Sequence, residues 1–153
     1  MRPVWNEYVA RQSGSSRAPF SDNAPAPAHV VDVPNPLLDS IERIPVVLAV
    51  AADLRLVALM DRDLERPALT GGASIYPFCW NVLLAARTYG LGGVLTTFLS
   101  RAEPDAAPLL GVPPEHALAA TIFLGHPVHR PTRLRRRPVE AFTTIDRFDG
   151  PSF

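Results

Sequence analysis

Five arginines fall within twelve residues, His126–Arg137 (HPVHRPTRLRRR), with no acid among them. The rest of the chain holds ten Arg against fifteen acidic residues, a net of minus five, so the positive charge is local. Guanidinium groups gathered just after a buried strand could grip a phosphate through forked hydrogen bonds. The same residues also suit a solvated basic turn, and both readings stay open on composition alone. A nucleic-acid patch is a third reading, but it lacks interleaved aromatic residues. His126 and His129 are three apart, a spacing that chelates metals on a helix. Pro127 between them and the missing acidic third ligand favour two exposed loop histidines instead.

Other polar positions are quieter. Cys79 is the single cysteine and sits in an apolar segment, so packing rather than nucleophilic chemistry is expected of it. Asn81 lies in the same segment, where a satisfied buried hydrogen bond explains it as well as a ligand contact does. Gly90–Thr97 (GLGGVLTT) is glycine-rich but lacks the GK[ST] ending of a phosphate loop, and its glycines precede a strand rather than a helix. They suit a tight helix-to-strand turn, or a place where backbone approaches something flat. No Ser/His/Asp order, paired-carboxylate pattern or dinucleotide fingerprint is present.

The elements that must carry these residues can be read from periodicity. The chain has 153 residues, enough for one domain, with 47% hydrophobic and 20% charged residues and zero formal net charge. That balance is globular and gives no whole-chain attraction to nucleic acid or anionic membrane. One cysteine excludes an intrachain disulfide framework and any multi-cysteine metal site. No run of about 18 apolar residues occurs, and MRPVWNEYVARQ has no signal-type apolar region. A soluble, cytoplasmic protein without membrane or nucleic-acid partners is expected. Residues 1–12 form a short helix, and residues 13–36, rich in Pro, Ser and Ala, read as a linker or mobile loop, partly disordered.

From residue 44 the pattern tightens. Residues 44–52 (IPVVLAVAA) predict a strand covered on both faces. Asp53 then caps a short helix to about residue 61, and 61–72 are turn-like. Residues 74–89 (SIYPFCWNVLLAARTY) predict the principal helix, with Ile75, Phe78, Cys79, Val82, Leu83 and Ala86 on one face. Tyr76, Trp80 and Leu84 make another side apolar, as in a core or subunit interface. Residues 93–99 predict a strand, and a helix opening near residue 100 has Leu109 and Leu110 inward and stops at Gly111. Residues 117–124 (ALAATIFL) predict a fully buried strand, and 138–148 a loosely strand-like tail. The alternation argues for a layered α+β or α/β fold.

The ordered set GGASIYPFCWNVLLAARTYGLGGVLTT, PLLGVPPEHALAATIFLGHPV and RLRRRPVEAFTTIDRFDG resembles the C-terminal two-thirds of the flavin-dependent nitroreductase family. The resemblance implies an α+β layered sandwich, a mixed sheet flanked by helices, forming an intertwined homodimer with FMN between subunits. It implies hydride transfer from NADH or NADPH through FMN to nitroaromatics, quinones or similar small electrophiles. The family's backbone contact to the reactive flavin nitrogen falls on Leu95, Thr96, Thr97 and Phe98. Its phosphate-holding basic pair falls on Arg135 and Arg136, with Arg137 adjacent. No catalytic side chain is expected, because the cofactor carries the chemistry and the protein positions it. The family's Arg-rich first helix has no match in residues 1–40, so the expectation is a flavin-binding domain at 41–150 lacking the family's front end, with weak FMN binding. A flavin-free remnant serving as a structural or interaction module is the competing reading.

Overall fold

The computed structural model describes residues 1–13, 31–130, 132–133 and 135–153. Five helices and three strands occur among them: α1 (Arg2–Ser13), α2 (Pro36–Asp39), β1 (Val46–Asp53), α3 (Ile75–Thr88), β2 (Gly92–Thr96), α4 (Phe98–Arg101), α5 (Glu103–Leu110) and β3 (His116–Gly125). The fold is α+β. The sheet has the order β1-β3-β2 and is antiparallel throughout, not mixed as expected. Most of the 13–36 loop lies outside the described residues.

The core forms where α3 crosses the sheet. Ala120, Ile122 and Leu124 alternate along β3 onto one face and meet Cys79 and Ala86 of α3. Val50 and Leu95 complete that face from the flanking strands. Thr121 and Phe123 alternate to the opposite face and are buried there too. Of the other helices, α4 and α5 pack against β3, and α1 packs against α4. Trp5 of α1 meets Phe98 of α4 edge-on at 5.7 Å and donates its indole N–H to the carbonyl of Val33 at 3.0 Å.

The central strand agrees with its sequence, and the neighbouring strand does not. β3 is buried on both faces as expected. β1 was expected to be covered likewise, yet Val46, Val47 and Leu48 are 42%, 49% and 38% exposed. The reason is position: β1 is an edge of a three-stranded sheet, with no strand beyond it among the described residues.

Several local expectations are also corrected. Asp53 does not cap a helix. It ends β1, and its carboxylate accepts the Arg55 amide at 3.0 Å and the Arg55 guanidinium at 2.9 and 2.7 Å, which diverts the chain into a turn. The helix expected from residue 100 is two helices, α4 and α5, divided at Ala102. Leu109 and Leu110, expected inward, are exposed. They fall on the outer side because Ala106 is the α5 residue that is buried. Phe78 and Asn81 are exposed on α3, because Cys79 and Ala86 mark its buried stripe. In place of a strand-like tail there is a 3-10 turn at Val139–Ala141 and one isolated bridge between Thr144 and Ser152.

The expected stops hold. Gly90, at φ 77°, follows α3, and Gly111, at φ 65°, follows α5, both in the left-handed region that a β-carbon disfavours.

Candidate functional site

The turn that carries Leu95, Thr96, Thr97 and Phe98 is the end of β2 and the start of α4. Leu95 packs into the α3 core. Phe98 is half-buried against Trp5. Between these two anchors, Thr97 sits at the N-cap position of α4 (φ −115°, ψ 10°), exposed, with no side-chain bond to the helix amides. The Ser100 amide turns back to the Thr97 carbonyl at 3.1 Å, whereas the amides of Phe98 and Leu99, at the start of the helix, have no acceptor among the described residues. Thr96 Oγ1 is buried without a hydrogen-bond partner among the described residues. The turn therefore has unclaimed polar capacity held between two apolar anchors.

The basic segment begins elsewhere. Gly125 pairs with Gly92, so the chain leaves β3 at the opposite end of β2 from Thr96, roughly 13 Å away along the strand. Arg130 donates to the carbonyl of Gly90 at 2.8 Å, tying the segment to the α3–β2 turn. Arg135, Arg136 and Arg137 are all exposed. Arg136 donates to the Arg135 carbonyl at 3.2 Å, and the Arg137 guanidinium lies 5.8 Å from the Phe142 ring centroid. Among the described residues, none of the three forms an ion pair, and none bonds to Leu95–Phe98. Among the described residues no acid neutralises these guanidiniums, which can still donate to an anion, and the two halves of the expected site are not in contact.

Two features escaped the sequence reading. One is a groove of about 580 Å³ between the start of β2 and the end of β3, lined by Arg43, Val94, Phe123, His126 and His129 among others. Arg43 gave no signal in the sequence, because only tertiary packing brings residue 43 beside residue 126. The two histidines line this groove, and among the described residues no cluster of three His, Cys, Asp or Glu forms a metal site.

The other feature is Asp61. Its carboxylate accepts the Thr70 hydroxyl at 2.5 Å, the Leu69 amide at 2.8 Å, the Arg66 guanidinium at 2.7 Å and the Thr70 amide at 3.2 Å. The Thr70 hydroxyl foremost, then the Leu69 amide and Arg66, hold this acid well below the usual carboxylate range. It clamps the loop that leads into α3. Cys79 is fully buried, and burial pushes its thiol up, which suits the packing role expected of it.

A broad apolar surface remains on α3. Tyr76, Phe78, Trp80 and Leu84 are exposed, Trp80 by 61%. No described helix is long and apolar enough to cross a membrane.

Comparison with known proteins places this geometry. The model of the nitroreductase family matches residues 10–126, beginning upstream of the residue-40 boundary suggested by the motifs. The matched span includes Leu95–Phe98 and ends before Arg135–Arg137. The NADPH:FMN oxidoreductase of Vibrio harveyi, solved in complex with NAD+, is 27% identical with a TM-score of 0.52, over 67% of this chain and 46% of that one. Nitroreductase A of Vibrio parahaemolyticus is 30% identical with a TM-score of 0.46, over 52% of this chain and 34% of that one. The chain thus spans less than half the length of either structure. No curated protein matches it.

Proposed function

The chain belongs to the nitroreductase family, and from that premise we propose that it is an FMN-dependent oxidoreductase, acting in the cytoplasm as a homodimer. Its reductant is NADH or NADPH, and its acceptors are nitroaromatics, quinones or similar small electrophiles. FMN, when bound, supplies the hydride-accepting and hydride-donating centre. The observation that carries the reading is the β2–α4 turn, which lies inside the family match and whose N-cap residue Thr97 makes no side-chain bond to the α4 amides.

The residues present suit the parts of this cofactor. The turn from Leu95 to Phe98 would hold the flat ring system, because preorganised amides stabilise negative charge developing on a flavin nitrogen. Arg135 and Arg136, with Arg137 beside them, would hold the phosphate, because among the described residues no acid neutralises their exposed guanidiniums. A ligand with a ring at one end and a phosphate at the other accounts for binding groups that start at opposite ends of β2. The exposed Tyr76, Trp80 and Leu84 side of α3 supports self-association.

The test is FMN titration of the parent and of the double variant Arg135→Ala/Arg136→Ala. The variant should bind FMN more weakly by about 2–4 kcal/mol, taking ~1–2 kcal/mol for each charge-assisted contact. Riboflavin, which lacks the phosphate, should bind both proteins equally. Superimposable FMN titrations would return the segment to a solvated basic turn. A parent that binds neither compound would favour the flavin-free module.

A further inference from the structure

Three hydroxyls near the β2–α4 turn and the strand facing it lie buried without a partner among the described residues: Thr96 Oγ1, Ser100 Oγ and Thr121 Oγ1. We infer that they jointly hold one buried water, and that Thr121 thereby acts as a positioning residue for the Thr96–Phe98 turn. The bearing of this site on FMN rests on the function proposed above; the site itself does not.

Thr121 is the anomaly that leads there. It is 1% exposed in the middle of the central strand, between Ala120 and Ile122. A side-chain hydroxyl in that environment loses its hydration, and buried polar groups in native proteins are almost always hydrogen-bonded. Thr96 lies directly opposite Thr121 in the β2–β3 register. Directly opposed residues point to the same face with β-carbons about 4.5–5.5 Å apart. Both hydroxyls therefore leave the sheet on one side, yet they are not hydrogen-bonded to each other. Ser100 is on α4, which packs against β3, and its amide donates to the Thr97 carbonyl at 3.1 Å. The turn that joins Thr96 to Ser100 thus carries two of the three hydroxyls, and the central strand carries the third.

A buried water needs two to four polar partners, and three hydroxyls meet that requirement. Hydroxyl groups rotate to donate or accept, so one water satisfies all three without moving the backbone. The consequence is mechanical. Thr121 belongs to the most buried strand, and a bridge from it to Thr96 and Ser100 would fix the turn from below. The Leu95–Phe98 amides would then be preorganised by a residue that touches no ligand.

Two replacements at residue 121 separate hydroxyl from shape. Thr121→Val keeps the volume and loses the hydroxyl, whereas Thr121→Ser keeps the hydroxyl and loses a methyl group. If the hydroxyl holds a shared water, Thr121→Val should speed amide exchange at Thr97–Leu99 by about five- to tenfold, the worth of one buried hydrogen bond. Thr121→Ser should leave those amides at parent rates. In the opposite result, Val is neutral or protective and Ser is the variant that loosens the turn. That pattern belongs to plain packing and overturns the inference. Should Thr121→Val not fold, Thr96→Val against Thr96→Ser makes the same comparison from the edge strand.

With FMN added, the absorption band of bound flavin should shift in Thr121→Val and stay at the parent position in Thr121→Ser. A parent that binds no FMN but shows the Val/Ser split in exchange would remove the flavin reading and leave the hydroxyl site standing.

Discussion

β1 and β3 have nearly the same sequence character and opposite environments. VVLAVAAD and HALAATIFLG are both short apolar runs that pair residue for residue from Val46–Leu124 to Val50–Ala120, up to a bulge between Val50 and Ala51. Ile122 is completely buried and its register partner Leu48 is 38% exposed. An apolar run states that the strand belongs under cover, but it does not say which element provides the cover. In β3 the cover is α3 on one face and the rest of the domain on the other. In β1 the described chain leaves the outer part bare, and the α3 surface around Trp80 is bare in the same way. Exposed apolar surface of this kind is what a protein or ligand contact covers, and it is the basis of the homodimer proposed above.

This contrast can be broken by mutation. Ile122→Ala should cost about 2–5 kcal/mol in urea unfolding, because it leaves a cavity in the core between α3 and β3. Leu48→Ala on the facing strand should cost clearly less than Ile122→Ala in dilute protein, because over a third of Leu48 stays in solvent and its truncation leaves no closed cavity. Raising the protein concentration sharpens the comparison. If a second copy covers β1, the Leu48→Ala penalty grows with concentration and the Ile122→Ala penalty does not. Equal penalties for the two residues in dilute protein would mean that β1 is covered within a single chain.

A smaller effect is expected at the bare helix face. Trp80→Ser should weaken self-association about thirtyfold, or ~2 kcal/mol, if Trp80 is an interface anchor. Sedimentation or light scattering across a concentration series reads this directly. A parent that stays monomeric at micromolar concentration would take away the interface and with it the proposed homodimer.

The smallest effect is local. The Asp61 carboxyl is held below its ordinary value by its donors, so its contribution to the 61–70 loop is complete above the unfolded value near pH ~4. That contribution falls away as the pH drops toward the lowered folded value. Protection of the Leu69 and Thr70 amides should therefore decline on acidification below about pH 4. Asp61→Asn should weaken that protection at neutral pH and flatten its pH dependence. An unchanged acid profile in Asp61→Asn would assign the loop's acid sensitivity to another group.

Local pattern was most legible where one chain segment decides its own conformation. The helix through Cys79, the αL stops at Gly90 and Gly111, and the buried strand ending at Leu124 follow from spacing and from backbone chemistry within a few residues. The Asp53 turn was missed because a capping acid and a turn-forming acid look alike until the position of Arg55 is known. The outward placement of Leu109 was missed because a short helix with apolar residues on several sides has no unique inner face.

The candidate site divides along the same line. Residue type alone pointed to a phosphate-competent cluster within His126–Arg137, and only the family resemblance narrowed it to Arg135–Arg137. Sequence order likewise placed the glycine-rich turn ahead of Thr96. Only the antiparallel pairing decided that these two segments start from opposite ends of β2, that Thr121 stands across from Thr96, and that Arg43 joins His126 at one groove. Each of those juxtapositions joins residues more than twenty positions apart, and short-range periodicity carries no information about which distant strand will form the next hydrogen-bonded neighbour.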